Sequence, residues 1–247
     1  MKLEGIVLAG GLGTRLRDAV PGLPKPMAPV AGRPFLAWLL DFLQAEGFAR
    51  VVLSTGYMAE AISACFGARH GDIAIEYAVE ASPLGTGGAT LAASNRCPGN
   101  PFFVINGDTF LAHDYRAMLA RHQSAGAQFT MAVRSVGDVS RYGRVVLDGD
   151  RPVSLDEKSA VGPGWVNAGV YLLDRRFLSD LDPDQPCSLE RDIIAPRLAT
   201  HDCLACASNG YFIDIGVPAE YQRAQVELPA AVRAGRDAGD DAAPPRA

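Results

Sequence analysis

The chain of 247 residues has no Gly-Lys-Ser or Gly-Lys-Thr after its N-terminal glycines and no Gly-x-Ser-x-Gly. The first absence excludes a Walker A phosphate loop, and the second leaves a hydrolase with a serine nucleophile unsupported. His70, His113, His122 and His201 show no metal-ligand spacing and read as structural or solvated. No charged N-terminus leads into a long apolar run, so neither a signal peptide nor a membrane span is expected. Positive charge is scarce: the net charge is −5 and the pI near 5.4, against a nucleic-acid or anionic-membrane binder. Cysteines are five, an odd number without a framework. Cys203-x-x-Cys206 lacks a second pair or partner histidines and fits an apolar strand better than a metal or redox site. Reduced thiols in the cytoplasm are the expectation. No internal repeat is present.

What is there begins with Leu3–Ala9, which reads as a buried strand, and Gly10-Gly11-Leu12-Gly13-Thr14-Arg15-Leu16, a glycine-rich turn. Glycines let several backbone N–H groups converge on one anion, and Arg15 adds a permanent forked cation. Such a loop at a strand's C-terminal end suggests a nucleotide phosphate site. A Rossmann fingerprint would open a long helix directly, which Pro21, Pro24 and Pro26 prevent.

At 48% hydrophobic, the chain can bury one substantial core. Spacing predicts a helix from Pro34 to about Glu46, with Phe35, Trp38, Leu39, Phe42 and Leu43 on one face. Strands follow at Arg50–Thr55, Ile73–Val79 and Pro101–Ile105, with helices at Ala59–Phe66 and Gly85–Ser94. This alternation implies βαβ units and a doubly wound first half. After Asp108 the pattern changes: a helix at His113–Gln123, then β segments at Gln128–Arg134, Gly143–Leu147, Pro152–Leu155 and Trp165–Leu173. Helices near Arg175–Leu181 and Leu189–Ala199 and strands near Leu204–Ala207 and Tyr211–Ile213 precede a closing helix, Pro218–Val226. Composition beyond Pro229 predicts a disordered tail, 229–247. The expected fold is α/β: a Rossmann-like, mostly parallel central sheet flanked by helices, with a smaller β-rich part.

Gly-Gly-x-Gly-Thr-Arg followed by Pro24-Lys25-Pro26 resembles the signature of the sugar-1-phosphate nucleotidylyltransferases, with Leu8–Gly11, Arg15 and Lys25 in register. Pro83-Leu84-Gly85-Thr86-Gly87-Gly88 resembles a second motif of that family, and the resemblance runs from Gly5 to Tyr221. It implies a GT-A-like nucleotidyltransferase domain over 1–228, with 1–110 mainly the nucleotide side and 111–228 mainly the sugar side. Within the family, 24–35 and 83–89 look most like the D-glycero-α-D-manno-heptose 1-phosphate guanylyltransferases. The repetitive β-helical extension of some members is not seen.

The resemblance assigns Leu8, Ala9, Gly10, Gly11, Gly13, Thr14, Glu80, Pro83, Gly85, Thr86 and Gly107 to the nucleotide. Arg15, Lys25 and Lys158 take catalytic roles on the leaving pyrophosphate, the phosphates and the sugar phosphate. Tyr142, Gly143, Glu157, Asn167 and Gly169 fall on the sugar side. Asp108, after the strand Pro101–Ile105, and Asp214 match the family's metal aspartates, and two carboxylates with phosphate oxygens and waters suit Mg²⁺. Glu80 favours GTP, since a carboxylate accepts both N1–H and N2–H of guanine. Ser188 reads as a helix cap without chemistry. The expected partners are GTP and a sugar 1-phosphate, without nucleic acid or membrane, and a homo-oligomer is compatible. UTP or dTTP as donor and mannose 1-phosphate or an amino sugar phosphate as acceptor stay open, as does a catalytically silent nucleotide-sugar-sensing subunit.

Overall fold

The computed structural model describes residues 2–11, 16, 20–156, 161–182 and 185–240, with backbone alone at 234–240. Strand β1 (Leu3–Leu8) is followed by a tight turn at Lys25–Met27 and a hairpin of β2 (Pro29–Val30) and β3 (Arg33–Pro34). Then come α1 (Phe35–Ala45), β4 (Phe48–Thr55), α2 (Ala59–Phe66), β5 (Arg69–His70), β6 (Ile73–Val79), α3 (Gly85–Ser94) and β7 (Phe102–Asn106). The second half holds β8 (Thr109–Leu111), α4 (Tyr115–Ser124), β9 (Phe129–Val136), β10 (Val145–Asp148), β11 (Arg151–Leu155) and β12 (Gly164–Leu173). It ends with α5 (Ala195–Arg197), β13 (Cys203–Ser208), β14 (Phe212–Asp214) and α6 (Pro218–Asp240). Where longer helices are expected, a short turn covers Arg175–Leu178 and a wide π turn, Leu189–Ile194, leads into α5.

Among the described residues, ten strands form one sheet in the order β11-β10-β12-β7-β1-β4-β6-β5, with β9 on β12 and β13 on β9. The centre, β7-β1-β4-β6, is parallel. Its strands alternate by residue between two apolar layers. Val7, Val51 and Phe103 join α1 and α6 on one face, and Ile6, Val52 and Val104 join α3 on the other. The β-rich half does not stand apart: β12 pairs antiparallel with β7 through Val170–Leu173, extending the same sheet.

Two expectations change. Helix α1 buries Phe35, Leu36, Ala37, Leu39, Leu40, Phe42 and Leu43, more than one face, because sheet and α6 both pack on it. The segment after Pro229, expected to be disordered, continues α6 to Asp240; 241–247 lie outside the described residues. Tyr221, Ala224, Leu228 and Val232 form one buried stripe through the proline. Burying Leu228 and Val232 is worth roughly 1.5–3 kcal/mol each, enough to offset the ~3 kcal/mol that an interior proline costs. Among the described residues no helix is long and apolar enough to cross a membrane. Cys203 and Cys206 are buried on β13, and burial pushes the Cys203 thiol up to about 11.

His122 on α4 is buried, with Nδ1 2.8 Å from Thr130 Oγ1, and burial lowers its pKa to about 4. The unfolded histidine titrates near 6.5, so the unfolded chain takes up a proton that the native protein refuses as pH falls from about 6.5 to 4. Native stability should therefore fall across that window by roughly 3 kcal/mol from this residue. His122→Gln should flatten that slope in denaturant melts; equal slopes would show that His122 does not carry it.

Candidate active site

The parallel centre brings four strand ends to one edge. Leu8 lies in register with Ser54 on one side and Asn106 on the other, and Thr55 pairs with Val79. Ligands in open α/β sheets bind beyond this edge, where the strand order reverses, here between β1, which is followed outward by β4 and β6, and β7 on its other side. Here it opens into a cleft of about 750 Å³. Of the residues assigned from sequence, Leu8, Ala9, Gly10, Gly11, Lys25, Glu80, Pro83, Gly85, Thr86 and Asp108 line it. Gly13, Thr14, Arg15, Glu157 and Lys158 lie outside the described residues.

Glycine at position 10 is imposed by Glu80: a Cβ there would lie 2.5 Å from Glu80 Oε1. Glu80 follows β6, accepting from Leu84 N at 3.0 Å and Ser54 Oγ at 3.4 Å. Its carboxylate is thus fixed against the glycine turn. Gly107, although assigned to the nucleotide, gives its N–H to Leu8 O at 2.9 Å, and a Cβ would meet that oxygen at 2.6 Å. Its smallness serves the sheet.

Two three-residue strands bring the aspartates together, β14 close to the strand expected at Tyr211–Ile213 and β8 where none is expected. β14 pairs antiparallel with β8, setting Asp214 opposite Thr109, and Ile215 N donates to Asp108 O at 3.1 Å. Lys25, in the turn after Pro24 and with a side chain only 9% exposed, sends Nζ between them. It lies 2.5 Å from Asp108 Oδ2 and 3.4 Å from Asp214 Oδ1. At Gly216 a Cβ would crowd both Asp214 Oδ1 and Lys25 Nζ, so a larger residue would break the arrangement. Two carboxylates already converging on one positive charge are a donor set that fits a hard divalent cation. No third His, Cys, Asp or Glu joins them among the described residues.

Of the residues expected on the sugar side, Tyr142, Gly143, Asn167 and Gly169 are described, and none of them lines the cleft. Tyr142 and Gly143 both donate backbone N–H to Val139 O. The Tyr142 ring packs on Phe212 at 5.6 Å, under the Arg141 guanidinium that pairs with Glu220, and burial raises its phenol pKa. Asn167-Ala168-Gly169 forms a bulge where β12 shifts register against β9, Gly169 having φ +70°. Gly169 rests on Asn106, whose side-chain oxygen is buried without a hydrogen-bond partner among the described residues. Sequence reasoning passed over Asn106, Gly216 and Tyr57 as lining residues. Tyr57 was findable, since it stands two residues past the end of β4, at the same sheet edge as the glycine turn.

The family model described as nucleotidyl transferase matches residues 4–230. A D-glycero-alpha-D-manno-heptose 1-phosphate guanylyltransferase of Aneurinibacillus thermoaerophilus is 39% identical over 226 residues, 92% of this chain and 98% of its own. One from Campylobacter jejuni is 35% identical over 220 residues, 89% of this chain and 97% of its own. The crystal structure of HddC from Yersinia pseudotuberculosis complexed with GMP-PN has a TM-score of 0.81 at 33% identity, covering 92% of this chain and 99% of that one.

Lys25→Met would leave Asp108 and Asp214 facing each other without a counter-charge. Both carboxylates are about one-third exposed, which screens the repulsion, so the expected loss is about 1–2 kcal/mol in chelator-treated protein. Adding Asp108→Asn to that variant should restore most of it. Unchanged denaturation midpoints in Lys25→Met would show that the bridge does not hold the site.

Proposed function

The chain belongs to the nucleotidyl transferase family, and within it we propose transfer of GMP from GTP to a manno-configured sugar 1-phosphate, D-glycero-α-D-manno-heptose 1-phosphate foremost, releasing pyrophosphate. The observation that carries this reading is a charge cluster of Lys25, Asp108 and Asp214 beside a cleft also lined by the acid Glu80. The relatives' names and coverage support the substrates.

In this mechanism an oxygen of the sugar phosphate attacks the α-phosphorus in line as pyrophosphate leaves. No covalent enzyme intermediate is needed, so the protein supplies alignment and charge neutralisation. Backbone N–H groups at Gly10 and Gly11 meet the phosphates, with Lys25 beside them. Arg15 offsets charge growing on pyrophosphate, and Lys158 fixes the attacking phosphate while Glu157 binds sugar hydroxyls. Asp108 and Asp214 would hold Mg²⁺, which when bound neutralises the α-phosphate. Glu80, fixed by Leu84 N and Ser54 Oγ, retains lone pairs for the two N–H donors of guanine. The same reading takes 1–228 as the catalytic unit, 1–110 facing the nucleotide and 111–228 the sugar, in cytoplasmic glycan biosynthesis.

Pyrophosphate release should be measured for GTP, UTP and dTTP against heptose and mannose 1-phosphates, with magnesium. GTP with the heptose 1-phosphate should give the highest kcat/KM. Charge-assisted hydrogen bonds of about 1.5–3 kcal/mol mean that Glu80→Gln should lower kcat/KM for GTP by roughly 10–100-fold. A uridine preference would overturn the guanine assignment, and no release with any pair would favour the silent subunit.

A further inference from the structure

Behind the cleft wall a directed chain of hydrogen bonds joins the two halves of the protein. Asn167 Nδ2 donates to Tyr171 Oη at 2.6 Å, and the Tyr171 hydroxyl donates to Glu190 Oε1 at 2.8 Å. From the other side Thr86 Oγ1 donates to Glu190 Oε2 at 3.1 Å, joined there by Ser188 Oγ at 3.2 Å. Leu189 N donates in turn to Thr86 Oγ1 at 2.8 Å. Three hydroxyl donors thus end on one carboxylate, which ties them together through a shared acceptor. Burial, and then the charge of Glu190, hold the Tyr171 phenol protonated and therefore a donor.

The chain reaches the cleft through Thr86 alone and otherwise runs behind it. Thr86 lines the cleft at the start of α3, whereas Tyr171 and Glu190 do not. The same segment grips the nucleotide loop through its backbone: Cys187 N donates to Leu84 O and Gly87 N to Cys187 O. At the other end Asn167 is pinned twice, since its Oδ1 accepts from Gly169 N at 3.0 Å. Gly169 rests on Asn106, two residues before Asp108. The loop at 84–88, the β12 bulge and the strand end that carries Asp108 therefore share one brace.

We propose that Glu190 is a positioning residue for phosphoryl-group alignment, acting through Thr86 on one side and Tyr171–Asn167 on the other to hold the nucleotide loop and the acceptor-side bulge in fixed relation. It rests on the reading of the cleft as a nucleotidyl-transfer site. An in-line displacement needs the acceptor oxygen about 3–3.5 Å from phosphorus, and a misplacement of 1 Å can cost about 10²-fold. A brace between the two substrate sides thus acts on kcat more than on the binding of either substrate alone.

Tyr171→Phe removes one hydroxyl from a buried ring at nearly constant volume, and Glu190→Gln removes the shared acceptor. Turnover is measured with whichever donor and acceptor the unaltered protein uses best, alongside the dissociation constant of that donor and the melting temperature. Both variants should lose about 10–100-fold in kcat, Glu190→Gln the more, with donor affinity within about twofold. Unchanged kcat in both, or a parallel loss of kcat, donor affinity and melting temperature, overturns the positioning role. A preference of the unaltered protein for another nucleotide contradicts the guanine reading but not this one, because each ratio is taken with the preferred pair.

Discussion

An ammonium between two carboxylates ties together three stretches that are remote in sequence. Lys25 stands 83 residues from Asp108 and 189 from Asp214, yet its Nζ reaches both. The contact depends on much of the fold. The turn at Lys25–Met27 must project its side chain inward, β7 must end at the cleft, and β8 must pair with β14 to bring the second aspartate opposite the first. Each carboxylate repels the other, so the cluster needs a cation in every state. Lysine supplies one from the protein itself, and a nucleotide that arrives with a divalent ion supplies another.

The single sheet gives that cluster its setting. Because β12 adds to β7, the strand carrying Asn167 and Gly169 shares hydrogen bonds with the strand that delivers Asn106 and Asp108. On the proposed reading, the donor and acceptor sides are therefore two flanks of one sheet. The network through Glu190 adds a second, polar tie between them on the far side of the cleft wall. Transfer chemistry that relies on alignment gains from flanks held in fixed relation.

Much of this was legible in the sequence. Ala59–Phe66, Ile73–Val79 and Gly85–Ser94 occupy the expected ranges, because local periodicity and glycine or proline boundaries define them. The glycine turn, Glu80 and Asp108 were traceable as residues at strand ends, a position that an α/β pattern assigns without coordinates, whereas Lys25 was reached through the resemblance of Pro24-Lys25-Pro26 to the family signature. That Lys25 bridges both aspartates was not traceable, since it depends on the non-local pairing of β8 with β14. The attachment of β12 to β7 is likewise non-local. The helix through Pro229 escaped composition because its stripe rests on Leu228 and Val232 among many alanines. The 2.9 Å bond from Gly107 N to Leu8 O, which ties that turn to β1, was not readable either.

The central claim is that Lys25, Asp108 and Asp214 form the charge centre at which a nucleoside triphosphate reacts. A crystal structure of the protein with GTP and Mg²⁺ tests it most directly. A metal ion should then be held by Asp108 and Asp214, with the Lys25 ammonium turned from the carboxylates to phosphate oxygens. A nucleotide whose phosphates and metal lie elsewhere, with the Lys25 bridge intact, would contradict it.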